Sequence, residues 1–437
     1  MPLGFSKCCN ILAICILNLL LVFSFTTSSG QSIDKIINAT EVERIETVLS
    51  SDAMEGRKTF TPAIDRAADF IRDEFNKAGL QYFSGLSSFR QDFSMIKTKL
   101  ISSEATFDGL PIDPKNIITV TTARELLIDN NSGFEKVHIS SAANLLREAT
   151  KYAQSARNYL VLVDTSFASN FSRLARLTRE SFKRNNTVLF VLSPSDPVTY
   201  KFSIKNELTE SKLANVVGII PGKSLPNEYV IFSAHYDHLG IGKPNDKNDS
   251  IYNGANDDAA GTTAIILLSR YFKNLKNNAR TIVFAAFTAE EIGGFGSRYF
   301  SQQIDPEKVV AMFNIEMIGT ESKWGTNSAY ITGYDKSDFG KILQANLADS
   351  KFHFEPDPYP QQNLFMRSDN ATLAALGVPA HTISTSKMDS EKYYHTQGDD
   401  ISTLDMNNMA EIIKAIALSS VTIVSGKDTP TRIPRIK

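Results

Sequence analysis

The chain has 437 residues, enough for one large domain or two medium ones, each with a real core. Hydrophobic residues make up 42% and charged residues 22%, which excludes a disordered chain. With 46 basic and 48 acidic residues the formal net charge is −2, so electrostatics makes no case for nucleic acid or an anionic membrane surface as partner.

Lys7, the apolar run 11–25 and the small polar residues TTSSG follow the order of a secretory signal peptide, with cleavage near Ser29 to Gln31. The apolar run is short for a retained membrane anchor. The pattern predicts a secreted or periplasmic protein, with a leader over residues 1–30 and no stable membrane association once it is removed. Cys8, Cys9 and Cys15 all fall in the leader, and none has a lipoprotein context. The mature chain would have no thiolate, so any metal must be held by His, Asp and Glu. Sequons such as Asn170 and Asn370 leave a eukaryotic source open.

Residues 40–49 form a short amphipathic helix candidate. SDAMEGRKTFTP reads as an irregular loop ended by Pro62. Ile64, Ala67, Ala68, Phe70, Ile71 and Phe75 recur at a helical period over residues 63–78, and Gly79 stops that helix. Gln91, Phe93 and Met95 begin a strand. We place residues 31–99 with the main domain and residues 100–213 in an inserted α/β subdomain. Its core is NYLVLVD, a helical spacing over 171–183, and NTVLFVLS; its one histidine is His138. This insertion is either purely structural or a lid that shapes the substrate site.

Residues 214–437 alternate regularly. NVVGIIPG and YVIFSA are strands, 259–273 a helix and RTIVFAAFT a strand. A helix near 296–303, the strand VVAMFNIEMIG, the strand AYITGY and a helix over 338–348 follow, then PAHTIST and a closing helix over 407–420. The pattern predicts a three-layer αβα sandwich around a mostly parallel sheet.

The chemistry-bearing residues sit at strand ends. YVIFSA runs into His235, Asp237 and His238; NGANDDAAG carries Asp257 and Asp258 into the next helix. Glu290 and Glu291 follow TIVFAAFTA, Glu316 lies in FNIEMIG, and His395 in YYHTQGDD. Open α/β sheets bind ligands at that carboxyl edge. Each residue alone has an ordinary explanation: an Asp in a glycine turn caps a helix, a Glu pair after a strand is solvated, a lone His is a surface or satisfied core residue. A Glu at the end of an apolar strand is harder to dismiss, because burying an unpaired carboxylate is costly. Together they read as a metal site. We set His238, His353 and His381 aside as non-ligands.

HYDH, NGANDDAAG, TAEEIG, NIEMIG and YYHT, in that order, resemble the M28 family of metallopeptidases, the co-catalytic dizinc aminopeptidases and their carboxypeptidase relatives. The resemblance runs from about residue 215 to the C-terminus; SDAMEGRKTFTP resembles the family's N-terminal segment, and the insertion at best a degenerate protease-associated domain. It implies two zinc ions per chain. Asp257 would bridge them, with His235 and Glu316 on one and Glu291 and His395 on the other. A carboxylate has two oxygens and can bridge ions ~3.5–4 Å apart, and a coordinated water has its pKa lowered to roughly 7. Glu290 would be the general base, Tyr394 would donate a hydrogen bond to the oxyanion, Asp237 would orient His235, and Asp399 would buttress the His395 loop. Two departures stand out: Glu316 occupies a position where the family usually has Asp, and Asn370 one where a histidine is frequent.

The function this implies is a secreted zinc-dependent exopeptidase acting on peptides, an aminopeptidase in the first instance. Alternatives are a carboxypeptidase or dipeptidase of the same fold, a glutaminyl cyclase-like transferase, which would use one zinc, and a non-enzymatic scaffold, which would have lost ligands. Side-chain preference, oligomeric state and the native metal are not readable from the residues.

Overall fold

Runs of β-branched and aromatic residues without polar interruption make strands buried on both faces, and such strands form the centre of the larger of two units in the chain. The computed structural model describes residues 30–435, so all but the last residue of the leader expected over 1–30, with its three cysteines, lies outside the described residues. Among the described residues, one unit comprises those up to Gln91 with those from Ala214 on, the other Asp92–Leu213.

The first unit carries the strands β1 (Gln81–Tyr82), β2 (Tyr200–Ile220, from Ala214 onward), β3 (Leu225–His235), β4 (Arg280–Phe287), β5 (Val309–Ile315), β6 (Ser328–Ile331), β7 (His353–Pro356) and β8 (Ala380–Ser384). Their order across the sheet is β7–β6–β8–β5–β3–β4–β2, with β1 on β2. The central four, β8, β5, β3 and β4, are mutually parallel, while β2 runs against β4 and β6 against β8. Four carboxyl ends therefore come out on one edge.

The period of two along each strand divides the core. Val230, Phe232 and Ala234 of β3 and Ile282, Phe284 and Ala286 of β4 face one way. Helices α1 (Ala39–Leu49), α2 (Pro62–Ala78), α3 (Ala260–Leu275) and α6 (Met406–Ser419) cover that face with Ile45, Ile71, Leu267 and Ile413. Ile231, Val283 and Phe287 face the other way, onto α4 (Phe295–Gln302) and α5 (Asn370–Ala375). This is the three-layer sandwich that the alternation predicts. Phe232 stacks on Phe313 with ring centroids 4.7 Å apart, and truncating such a ring to Ala costs about 3–5 kcal/mol.

The helix ends follow local rules. Asn38 caps α1 by accepting from the Glu41 amide, Pro62 occupies the first turn of α2, and Gly79 ends α2 at φ 73°.

The second unit has a four-stranded sheet in the order Ile117–Val120, Val188–Leu192, Tyr159–Val163, Glu135–Ile139, the last three parallel, with the helix Leu145–Gln154. The helical spacing over 171–183 yields only a short 3₁₀ segment, Phe171–Thr178. The compact unit begins at Asp92, some residues before the composition changes. Among the described residues no helix is long and apolar enough to cross a membrane.

Candidate metal centre

The carboxyl ends of β3, β4 and β5 deliver His235, Glu290 with Glu291, and Glu316; the NGANDDAAG turn before α3 delivers Asp257, and the loop after β8 brings His395. Strand β5 stops at Ile315, so Glu316 stands just past its end. Three of these connections are held in left-handed backbone by residues other than glycine: Ala289 (φ 60°), Met317 (φ 53°) and His395 (φ 56°). Each costs on the order of 1–3 kcal/mol and persists because surrounding contacts over-determine it.

Asp257 is the centre of the group. Its Oδ1 lies 3.2 Å from His235 Nε2 and its Oδ2 lies 3.3 Å from His395 Nε2, so one buried carboxylate faces two imidazoles. Glu291 Oε2 is 3.1 Å from the same His395 nitrogen. Donor atoms of His235, Asp257 and Glu316 all lie within 4.8 Å of one another, and so do those of His238, Asp257 and Glu291. His238, which the sequence led us to set aside, thus stands inside the cluster, with its Nδ1 2.7 Å from Glu291 Oε1.

Neighbouring carboxylates fix the scaffold. Asp237 accepts from the amides of Glu290 (3.0 Å) and Glu291 (3.4 Å), so it holds the β4 turn. The His235 ring is oriented by the main-chain oxygen of Asp237, 3.1 Å from Nδ1, while the Asp237 carboxylate is 3.8 Å away. That contact directs Nε2 toward Asp257. Asp258 accepts from the amides of His235, Gly261 and Met317, joining the ends of β3 and β5 to the start of α3. At Gly261 a Cβ would lie 2.1 Å from the Ile315 oxygen, so only glycine allows this approach. Asp399 accepts from Asn256 (2.7 Å) and Asp257 (3.0 Å), which ties its own loop, that of His395, to the Asp257 turn. Arg57, fully buried, donates to the carbonyls of Leu49, Tyr236, Asn253 and Gly254, clamping the turns that carry His235 and Asp257. Asn370 is a core residue, bonded to Phe365, Ala380 and Thr382.

Asp258, Arg57 and His238 are the residues that sequence reasoning missed. The family-like NDD and EGR strings and the second histidine of HYDH were visible signals, but nothing local says what an Asp, Arg or His at those places will touch.

The residues present fit a divalent cation. His235 Nε2, both ring nitrogens of His238, Glu291 Oε1 and Glu316 Oε2 are buried without hydrogen-bond partners. Each such atom costs about 1–3 kcal/mol. Burial pushes Glu316 and Asp237 up to about 7 and Asp399 up to about 6. His395 is pushed up to about 10, by the Asp257 carboxylate first and then Glu291. Carboxylates that raise their histidines' hold on protons lack positive charge, and the all-oxygen-and-nitrogen donor set suits a borderline or hard dication.

A cleft opens on the cluster. Tyr394 lines it and stacks on His395 with centroids 3.9 Å apart; Arg367, Met317 and Met388 line it too. Glu290 lies in its wall, and burial, together with Glu316, Asp369 and Glu291, holds its carboxyl well above the usual range.

Known proteins resemble this chain in sequence and in fold. The family model of Peptidase family M28 matches residues 215–420. Aminopeptidase NAALADL1 of Mus musculus is 32% identical over 125 residues, 27% of this chain and 15% of the mouse protein. Aminopeptidase YwaD of Bacillus subtilis (strain 168) is 22% identical over 235 residues, 52% of this chain and 48% of that protein. The chain thus spans at most about half the length of these relatives. Among solved structures, the aminopeptidase from Aneurinibacillus sp. strain AM-1 superposes with a TM-score of 0.54 at 17% identity, over 94% of this chain and 98% of that one. BSAP, a zinc aminopeptidase from Bacillus subtilis, gives 0.53 at 15% identity, over 90% and 97%. At these identities the likeness establishes the fold.

Proposed function

We propose that this chain, which belongs to peptidase family M28 through residues 215–420, is a secreted two-zinc exopeptidase that releases N-terminal residues from peptides. The observation that carries the reading is the single carboxylate of Asp257 turned toward both His235 and His395. His235, Asp257 and Glu316 would hold one zinc, and Asp257, Glu291 and His395 the other. Bound there, zinc supplies Lewis acidity and brings the pKa of a water into the neutral range. Glu290 takes the proton of the attacking water and returns it to the leaving amine. Asp237 keeps Glu290 and Glu291 in register by gripping both amides, and the Tyr394 hydroxyl donates to the oxygen on which charge develops. Glu316 keeps the charge and two oxygens of the shorter Asp. The leader pattern supports secretion or a periplasmic location; peptides are the partners, and neither nucleic acid nor a membrane is called for.

A carboxypeptidase reading has one observation in its favour: Arg367 in the cleft wall could receive a terminal carboxylate. One experiment separates these readings: zinc content per chain, then a panel of free-amine and N-blocked peptides with and without chelator. We expect two zincs, loss of activity with chelator, and cleavage of free-amine substrates only. Cleavage of blocked peptides would move the activity to the carboxypeptidase side, a single zinc to a cyclase-like enzyme, and none to a scaffold.

A further inference from the structure

His238 is fully buried beside the cluster, yet the roles that the family resemblance implies leave it idle. Its ring packs on Gly254, where a Cβ would come within 2.6 Å of the ring carbons Cγ and Cδ2, and it meets His395 edge-on at 5.8 Å between centroids. Gly254 itself lies at φ 60°, so the turn is built to admit that ring.

Two roles are open to a buried imidazole there, ligand or support. Donors on one tetrahedral zinc, at about 2.0–2.1 Å from it, stand roughly 3.3–3.4 Å apart. The pairs His235–Asp257, His395–Asp257 and His395–Glu291, at 3.2, 3.3 and 3.1 Å, match that spacing. His238 Nδ1 does not: it is 3.8 Å from Asp257 Oδ2 and 2.7 Å from Glu291 Oε1, a hydrogen-bond separation. The two nitrogens that meet Glu291 reach different oxygens, His395 at Oε2 and His238 at Oε1. A fourth protein donor beside Asp257, Glu291 and His395 would also close that position to water, whereas catalytic sites keep one place open. Neither His238 Nδ1 nor Glu291 Oε1 has a well-directed hydrogen bond as placed. Rotation about the soft terminal torsion of the glutamate supplies the direction at little cost.

We infer that His238 is a positioning residue: its Nδ1–H holds Glu291 Oε1, so that Oε2 alone is presented to the metal shared with His395. The inference rests on the two-zinc reading. Supporting groups of this kind change metal affinity by roughly 10–100-fold when removed.

The test is the zinc affinity of each position, measured by competition with a chromogenic chelator, in the full chain and two variants. His238→Phe keeps the ring on Gly254 and removes the donor. His238→Asn loses the ring but carries an amide nitrogen near the place of Nδ1. We expect His238→Phe to weaken one zinc by about 10–100-fold with the other unchanged, and His238→Asn to restore it to within about threefold. A purely structural role predicts the reverse ranking, because Phe preserves the packing. Unchanged affinity in His238→Phe overturns the inference. So does a cobalt-substituted His238→Asn whose visible absorption shows a changed ligand set, which would make His238 a ligand. Fewer than two zincs in the parent chain would instead fail the two-zinc reading, and the outcomes are distinct.

Discussion

The two units share one grammar, parallel strands under helices, and differ in what they bury. In Asp92–Leu213 the buried polar side chains among the described residues are uncharged: Ser103, Thr121, Thr122 and Thr187. Its charges pair in the open, as Lys99 with Glu207 and Arg157 with Glu135, where each pair contributes about 0–1 kcal/mol. The other unit buries Glu46, Arg57, Glu74, Asp237, Asp257, Asp258, Arg280, Asp369 and Asp399, and Asp237, Asp257, Asp258 and Asp399 of these lie around the metal-site strand ends. Burial of that much charge is tolerated only where backbone amides, a guanidinium or a bound cation answers it. A sheet edge becomes a site by concentrating charge that the chain cannot neutralise alone.

The comparison can be broken most sharply at Asp257. Asp257→Ala should lose both metals and, with them, thermal stability, because ions bound only to the native state add to its free energy. Two zincs retained by that variant would remove the shared carboxylate from the account. Next in size is Glu290→Gln, which should keep both metals and lower kcat by about two decades or more; single-turnover kinetics with zinc analysis checks this, and full activity would free Glu290 of its role.

In the second unit the expected response is stability alone. Leu189 is completely buried in an apolar cluster, and Leu189→Ala should cost about 2–5 kcal/mol by chemical denaturation while zinc per folded chain stays at the parent value. Lost zinc would show that the contrast between the units is overdrawn.

The smallest effect concerns Glu46 on α1, whose carboxyl burial pushes up to about 8. A raised carboxyl favours the native state while protonated. That contribution is whole below the carboxyl's ordinary value of 4.5 and is lost as pH rises through about 8. Glu46→Gln cannot ionise, so its Tm should fall less than the parent's between pH 5 and pH 8, by a few degrees. Parallel Tm profiles would mean that Glu46 is already charged in the folded protein.

Most of the sandwich was legible because its signals are local. An unbroken apolar run such as YVIFSA makes a strand buried on both faces, and the spacing over 63–78 with Gly79 after it makes a helix with a stop. The clustering of the candidate donors was legible too, since acids and histidines at successive strand ends share an edge once the strands are parallel. The short 3₁₀ segment at Phe171–Thr178 was not, because helical spacing does not fix whether a helix propagates.

The order of residues by itself determined the alternation of elements and which side chains could supply oxygen and nitrogen to a cation. Tertiary structure alone decided which atom meets which. Asp399 supports Asn256 and Asp257 from 143 and 142 positions away, Arg57 reaches the Asn253 carbonyl across 196, and His238 turns toward Glu291 instead of resting in the core. Period and propensity act over a few residues, whereas these contacts are set by how strands register and turns close, to within an ångström.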